Sequence, residues 1–411
     1  MTDDLTRVEI TGIAAGGDGV GRADGMVVFV PRTAPGDVAV VRLQRSKRFA
    51  RGRLVSLDVA SPDRVVPECP HYTKDRCGGC QLQHLSYEAQ LRAKGTIIGD
   101  AIRRIGRRDL GDVDVSESDA VWRYRRKLTL HLRREGEHWI AGLHPYDEPG
   151  AVFDLADCPI TDERVLGVWR ELRSAFGLLP REPALRVAVR LLPGGAAVVV
   201  EGGSAWPNAE RLFNAVPSIL ELWWKPEQGR MRRLAARGAE LQAGASFAQV
   251  NVRVAARLQA HVLERVRAHA PQRVVDAYAG AGGVAVPLAA DGITVTAIEL
   301  DAEAVARFAD RLPMPSRAVV GRVEDHLGNA LPADVVLLNP PRAGVDARVT
   351  DALQRAHEVP RALIYVSCDP ATLARDLARM PRYRLAAVRA YDMFPQTAHV
   401  ETVCELVPEA T

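Results

Sequence analysis

The sequence predicts a chain in three parts: an all-β barrel of the OB type, a mixed α+β central domain, and a doubly wound α/β sheet of the Rossmann-like kind. Three observations predict it. Short β-rich runs broken by glycine turns fill the first sixty residues; mixed strand and helix patterns follow; and from about Ala245 apolar strand-length runs alternate with helical stretches. A chain of 411 residues holds two to three domains. With 47% hydrophobic and 26% charged residues it is expected to fold throughout. The net charge is only +3, so any nucleic-acid contact must come from local clustering of positive side chains. The start, MTDDLTRVEI, is acidic and lacks an apolar leader, and no run of about 18 apolar residues occurs. This predicts a cytoplasmic protein with no membrane attachment, and nothing implies an obligate protein partner.

Taken in order, TRVEITGI, MVVFVP, DVAVVRL and ARGRLVSL read as strands of a small barrel over residues 1–60, with AAGGDGVGRADG and TAPGD as turns. Six basic side chains lie between Arg42 and Arg53 with no acid among them, a face able to track phosphates. The central domain, 61–244, begins with the proline-punctuated SPDRVVPE and a helix over 87–108. The stretch VWRYRRKLTLHLRR then carries Arg123, Arg125, Arg126 and Lys127 among aromatic residues, the pattern of an RNA-facing strand. In the third part, 245–411, a helix VRVAARLQAHVLERVRAH precedes RVVDAY, VTAIEL, ADVVLLN and ALIYVS. These are the buried strands of a parallel sheet, whose ligands bind at the carboxyl ends.

Chemistry-bearing residues fall at those ends. The first strand runs into Asp276-Ala-Tyr278-Ala-Gly280-Ala-Gly282-Gly283, a turn where backbone can approach a ligand closely. The second ends in Glu299, a carboxylate able to accept both hydroxyls of a ribose, so turn and acid together favour an adenosine-containing cofactor. The third ends in Asn339-Pro-Pro-Arg342, whose prolines stiffen the strand tip and aim Asn339 into the crevice. The fourth ends in Ser367-Cys368-Asp369-Pro370; a thiol before a helix N-terminus is expected to have a lowered pKa and to be nucleophilic.

Cys69, Cys77 and Cys80 form a C-x7-C-x2-C cluster, with Cys158 beyond it. Four thiolates can hold a [4Fe-4S] cluster or a tetrahedral zinc, and spacing alone does not choose. Cys404, in VCELV, reads as packing.

The motifs AYAGAGGVAVPLA, NPPRAG, YVSCDPATLARD and DMFPQTAHVE resemble, in this order, those of the S-adenosylmethionine-dependent RNA 5-methyluridine methyltransferases. The resemblance covers nearly the whole chain. Residues 1–60 resemble the TRAM barrel, and CPHYTKDRCGGCQLQH with DCPI resembles the iron–sulfur segment of the branch acting on 23S ribosomal RNA. The resemblance implies that the third part is a methyltransferase sheet using S-adenosylmethionine, with Cys368 as nucleophile toward uracil C6 and Glu401 as the base that removes the C5 proton. It places Gln249, Tyr278, Gly280, Glu299 and Asn339 at the cofactor, Phe247 against a flipped target base, and a [4Fe-4S] cluster on Cys69, Cys77, Cys80 and Cys158. RNA, and 23S rRNA in particular, is the implied partner. Two positions depart from the family pattern: Asn339 stands where aspartate is usual, and Gly283 where asparagine is frequent. An amide can accept from uracil N3–H and donate to O4, so pyrimidine recognition survives the first change.

Other readings compete. NPPR also resembles the NPPY-type motif of amino-group methyltransferases, which need no covalent thiol. A radical enzyme would combine a four-iron cluster with S-adenosylmethionine, but the C-x3-C-x2-C spacing is absent. A catalytically silent RNA-binding protein would have no use for the Cys368 and Glu401 motifs.

Overall fold

Glycine and β-branched residues, alternating along the first segment, build a closed barrel before any helix appears. In the computed structural model, which describes residues 5–238 and 249–409, strands β1 (Leu5–Ile13), β2 (Gly19–Ala23), β3 (Met26–Val30), β4 (Val38–Arg45) and β5 (Phe49–Val59) close in the order β1-β2-β3-β5-β4. Alternate residues, among them Val8, Ile10, Val28, Val30, Ala39 and Val41, fill the interior. Strand β2 lies in the glycine-rich stretch expected to be all turn. Glycine hides the strand signal there because it has low β propensity, and pairing with β1 and β3 overrides it.

Helices α1 (Pro70–Thr73) and α2 (Tyr87–Arg104) follow, then β6 (Val115–Ser116). The central sheet takes β7 (Lys127–Glu135), β8 (His138–Leu143), β9 (Phe153–Asp154), β10 (Ala184–Leu192), β11 (Gly195–Glu201), β12 (Ile219–Lys225) and β13 (Arg232–Ala236) in the order β13-β12-β11-β10-β7-β8-β9. Its inward residues, such as Leu128, Leu130, Val187 and Val198, pack on α3 (Glu163–Ser174) and α4 (Ala209–Ala215) through Trp169, Leu172 and Phe213.

The C-terminal part begins with α5 (Val252–Ala268). It alternates β14 (Arg273–Ala277), α6 (Ala285–Ala290), β15 (Thr294–Glu299), α7 (Ala302–Ala306), β16 (Arg317–Val320), α8 (Val323–Ala330), β17 (Val335–Leu338), α9 (Ala347–Arg355), β18 (Ala362–Ser367) and α10 (Pro370–Ala378) before the hairpin of β19 (Tyr383–Tyr391) and β20 (Glu401–Pro408). The sheet order is β16-β15-β14-β17-β18-β20-β19-β6. Strand order reverses between β14 and β17, which opens a crevice at their carboxyl ends. Strands β14, β17 and β18 are buried on both faces, which is why they read as near-continuous apolar runs.

How the 87–108 helix is shared between the central and C-terminal parts is not given by the sequence; here Ile98 and Ile102 of α2 pack with Leu373 and Leu377 of α10, and β6 pairs with β19. The amphipathic face of α2 is covered by the C-terminal sheet, so the boundary between the two parts is not a single point in the chain. Among the described residues no helix is long and apolar enough to cross a membrane.

Candidate active site

The register of one antiparallel strand pair sets the chemistry. Ser367 of β18 pairs with Thr402 of β20, so the next residues, Cys368 and Glu401, stand opposite each other where the two strands leave the sheet. The carboxylate charge of Glu401 is felt by the Cys368 thiol, and the Arg342 guanidinium acts on both. Glu401 is 7% exposed, and burial, opposed by Arg342, pushes its carboxyl up to about 7. A buried carboxyl poised near neutrality can take a proton and return it at physiological pH.

The expectation for Cys368 is overturned in one respect. Burial raises the thiol pKa, with Glu401 adding to the rise and Arg342 opposing it. The first free N–H groups of α10, those of Ala371 and Thr372, donate to the Asp369 carboxylate at 2.9 Å each, and the Asp369 charge adds to the rise. The positive end of the helix is therefore occupied by the neighbouring acid, and the local cation for the thiol is Arg342. Sequence reading gave Arg342 no role; its signal was its place at a strand tip beside Asn339.

The crevice at the strand tips begins at β14. Tyr278 and Gly280 take left-handed backbone, φ 68° and 56°. A Cβ at Gly282 would meet the Phe308 ring at 2.5 Å, so that glycine seals the turn against the core, whereas Gly280 has open space on its Cβ side. Glu299 at the tip of β15 accepts the Gly280 N–H at 2.7 Å through Oε2 and the Asp301 N–H at 2.9 Å through Oε1, which fixes its carboxylate at the crevice. Asp276, buried below the turn, has one carboxylate oxygen without a partner, and burial raises its pKa to about 7. Asn339 is exposed at the tip of β17, and its N–H reaches Ala277 O at 3.4 Å. Tyr278 and Gln249 are half-buried; Phe247 lies outside the described residues. A cavity of about 530 Å³ lined by Ser116, His261, Arg265, Arg389 and Glu405 sits at the far edge of the sheet and contains neither Cys368 nor Glu401.

Glu401 is carried by residues 392–400, the β19–β20 connection. His399 projects from it under the field of Arg342, burial being the first cause of its lowered pKa.

Comparison with known proteins places this geometry. A family model described as tRNA (Uracil-5-)-methyltransferase matches residues 317–407, which contain Asn339, Cys368 and Glu401, and a TRAM domain model matches residues 5–55. An RNA methyltransferase of Thermosynechococcus vestitus, itself uncharacterized, is 32% identical over 97% of both chains. The chain belongs to the S-adenosylmethionine-dependent RNA (uracil-5-)-methyltransferase family. A 23S rRNA (uracil(1939)-C(5))-methyltransferase of Shewanella halifaxensis is 28% identical over 94% of this chain and 92% of its own. The crystal structure of the Pyrococcus abyssi tRNA (uracil-54, C5)-methyltransferase with S-adenosyl-L-homocysteine shares the fold, with TM-score 0.72 and 23% identity over 98% of this chain and 99% of that one.

Within this RNA (uracil-5-)-methyltransferase the basic residues separate into two kinds. Arg123 is spent internally: it binds Asp157 at 2.9 Å, Glu163 at 2.9 Å and Cys158 O at 3.0 Å, so it fastens the Cys158 loop. Lys127 is exposed, and Arg186, Arg190 and Arg125 face it with like charge. Arg125 and Arg126 are half-buried beside it.

The four cysteines gather at one place. Cys69, Cys77 and Cys80 are buried, and Cys77 and Cys80 both feel the charges of Cys158 and Cys69. Burial is the larger cause of their raised pKa values, about 11 for Cys77. Backbone N–H groups are aimed at sulfur: Tyr72 and His71 at Cys69, Gly79 at Cys77, Ile160 at Cys158. Among the described residues, however, no group of three or more His, Cys, Asp or Glu side chains is arranged to hold a metal ion.

Proposed function

We propose that this protein methylates C5 of a uridine in RNA through a covalent bond between Cys368 and C6. The observation that carries the reading is the pairing of a crevice thiol with a buried carboxyl titrating near 7, opposite each other on β18 and β20. Uracil C5 is a weak nucleophile. Addition of the Cys368 thiolate to C6 moves the C5=C6 electron pair into an enolate, and C5 then takes the methyl group of the sulfonium donor, leaving S-adenosylhomocysteine. Glu401 removes the C5 proton; the freed pair restores C5=C6 and breaks the C6–S bond, returning the thiolate. Arg342 lies where it favours both the thiolate and the enolate. Tyr278, Gly280, Glu299 and Gln249 are assigned to the donor, and Asn339 to the edge of the uracil ring or the donor beside it.

Incubation with 5-fluorouridine RNA and S-adenosylmethionine tests the reading, since fluorine at C5 cannot leave as a proton and the adduct persists. A denaturant-resistant protein–RNA complex that Cys368→Ala abolishes is expected. Methylation without any adduct would instead favour an amino-group methyltransferase.

We infer that the target lies in 23S rRNA, on the likeness to the Shewanella halifaxensis protein and on the cysteine segment. Mapping 5-methyluridine in ribosomal RNA of a strain lacking this protein tests it. Cys69, Cys77, Cys80 and Cys158 are proposed to hold a [4Fe-4S] cluster. The N–H groups aimed at three of the sulfurs suit thiolate ligands. A zinc needs four sulfurs converging on one ion at about 2.3 Å, whereas in a four-iron cluster each sulfur has its own iron. The likeness of the cysteine segment to that of the 23S rRNA branch supports the second case, and the mutual influence of the four thiols places them close enough to share one centre. Such a cluster would cross-link the chain, and no step of the methyl transfer passes through it.

A further inference from the structure

Residues 392–400 form a strap that delivers Glu401 to the crevice, and a few buried polar contacts hold it. Gln396 is their hub. It is 4% exposed and has left-handed backbone, φ 70°, a conformation that a non-glycine residue keeps only where its surroundings over-determine it. Its carbonyl accepts the N–H groups of Gln81 at 3.1 Å and Leu82 at 3.0 Å, directly after Cys80. Its own N–H donates to Gln90 Oε1 at 2.9 Å, and Gln90 Nε2 donates back to Gln396 Oε1 at 3.0 Å. One turn along α2, Lys94 donates to Asp392 Oδ1 at 2.5 Å and to Phe394 O at 3.1 Å, with Lys94 and Asp392 both fully buried. Tyr124 donates to Pro395 O at 3.0 Å. None of these groups touches a reacting atom. A glycine would meet the backbone demand at 396 more easily, so what the glutamine side chain adds there is the acceptor for Gln90 Nε2.

We propose that Gln396 and Gln90 are positioning residues for Glu401, and that the cysteine-bearing segment shares in this through the Gln81 and Leu82 N–H groups. The inference rests on the C5-methylation reading. Cys368 hangs from β18 and does not depend on the strap, so loosening Gln396 spares the addition at C6 and the methyl transfer. What suffers is the last step, in which the Glu401 carboxylate takes the C5 proton and the C6–S bond breaks. The methylated covalent protein–RNA species should then accumulate on ordinary uridine RNA.

The test uses the full chain as purified, with variants Gln396→Gly and Gln90→Ala. Gln396→Gly keeps the backbone bonds to Gln81 and Leu82 and suits the left-handed conformation, which offsets part of the cost of the lost bond to Gln90, so the fold should be retained with Tm lowered by no more than a few degrees. In both variants kcat should fall about tenfold or more with KM for RNA within about twofold, as expected when a reacting group is slightly misplaced. A denaturant-resistant protein–RNA complex should appear with unmodified RNA and S-adenosylmethionine, and the double variant should be no worse than the poorer single one. Wild-type turnover in Gln396→Gly, or lost activity without that complex, overturns the positioning role while leaving C5 methylation standing. A wild type that makes no 5-methyluridine overturns both.

Discussion

Glu401 shows the conflict between stability and chemistry at the level of one side chain. A carboxyl raised from 4.5 to about 7 by burial means that the folded state binds the proton more tightly than the unfolded state. The favourable contribution of the neutral form is complete below pH 4.5 and is lost as pH rises through about 7. At about 1.4 kcal/mol per pKa unit, the charged form costs the fold about 3 kcal/mol at pH 8. Glu401→Gln is therefore expected to be more stable than the wild type at pH 8, with the gain nearly gone at pH 4.5, as urea unfolding at the two pH values would measure. The same variant should lose turnover and retain the covalent RNA complex. Activity in the wild type should climb through pH 7 as Glu401 ionises and continue to climb, because the Cys368 thiol is also raised; a kcat that falls between pH 7 and 8.5 would contradict the assignment. Asn339→Asp exchanges a neutral acceptor for a charged one at the strand tip. Hydrogen bonds to charged groups are stronger by about 1 kcal/mol, so kcat/KM for uridine RNA should rise about fivefold if Asn339 faces uracil N3–H.

At the level of elements, the basic stretch that leads into β7 holds side chains that differ in what they do. Arg123, tied to Asp157, Glu163 and the Cys158 carbonyl, is expected to cost about 2 kcal/mol of stability as Arg123→Ala, a value discounted for its partial exposure. Lys127→Ala should leave Tm unchanged, weaken RNA binding, and reduce the slope of log affinity against log salt by about one. The parallel strands, the glycine turn and the thiol were legible because burial on both faces writes a continuous apolar run and because the chemistry falls at strand ends. The left-handed Gln396 and the Gln90 and Lys94 contacts were not legible, since their partners stand some three hundred residues away in sequence. Nor was the raised pKa of Cys368: it depends first on how deeply the thiol is buried and then on the charge of Glu401, which arrives from another strand. Strand β2 was missed for a local reason, its glycines.

In the whole molecule, residues 69–84 touch all three parts. Arg32 of the barrel donates to Tyr72 O and Cys77 O and lies over the Tyr72 ring, and His84 Nε2 stands 3.1 Å from Thr33 O. Gly78 N–H donates to His144 O, and Cys80 meets Cys158 across the central domain. Gln81 and Leu82 bond the strap of the catalytic sheet. Tyr72 and Leu82 anchor this segment in the core, but α1 is its one short helix, so a covalent centre joining Cys69, Cys77 and Cys80 to Cys158 would add rigidity that regular secondary structure does not supply there. Purified without oxygen, the protein should contain about four iron and four sulfide per chain; one zinc and no sulfide would replace the cluster by the tetrahedral alternative. Removal of the metal by oxidation and chelation should lower Tm. It should also reduce activity more than it reduces S-adenosylmethionine binding, because the donor is proposed to sit at the tips of β14, β15 and β17, while the Glu401 strap is the element bonded directly to this segment.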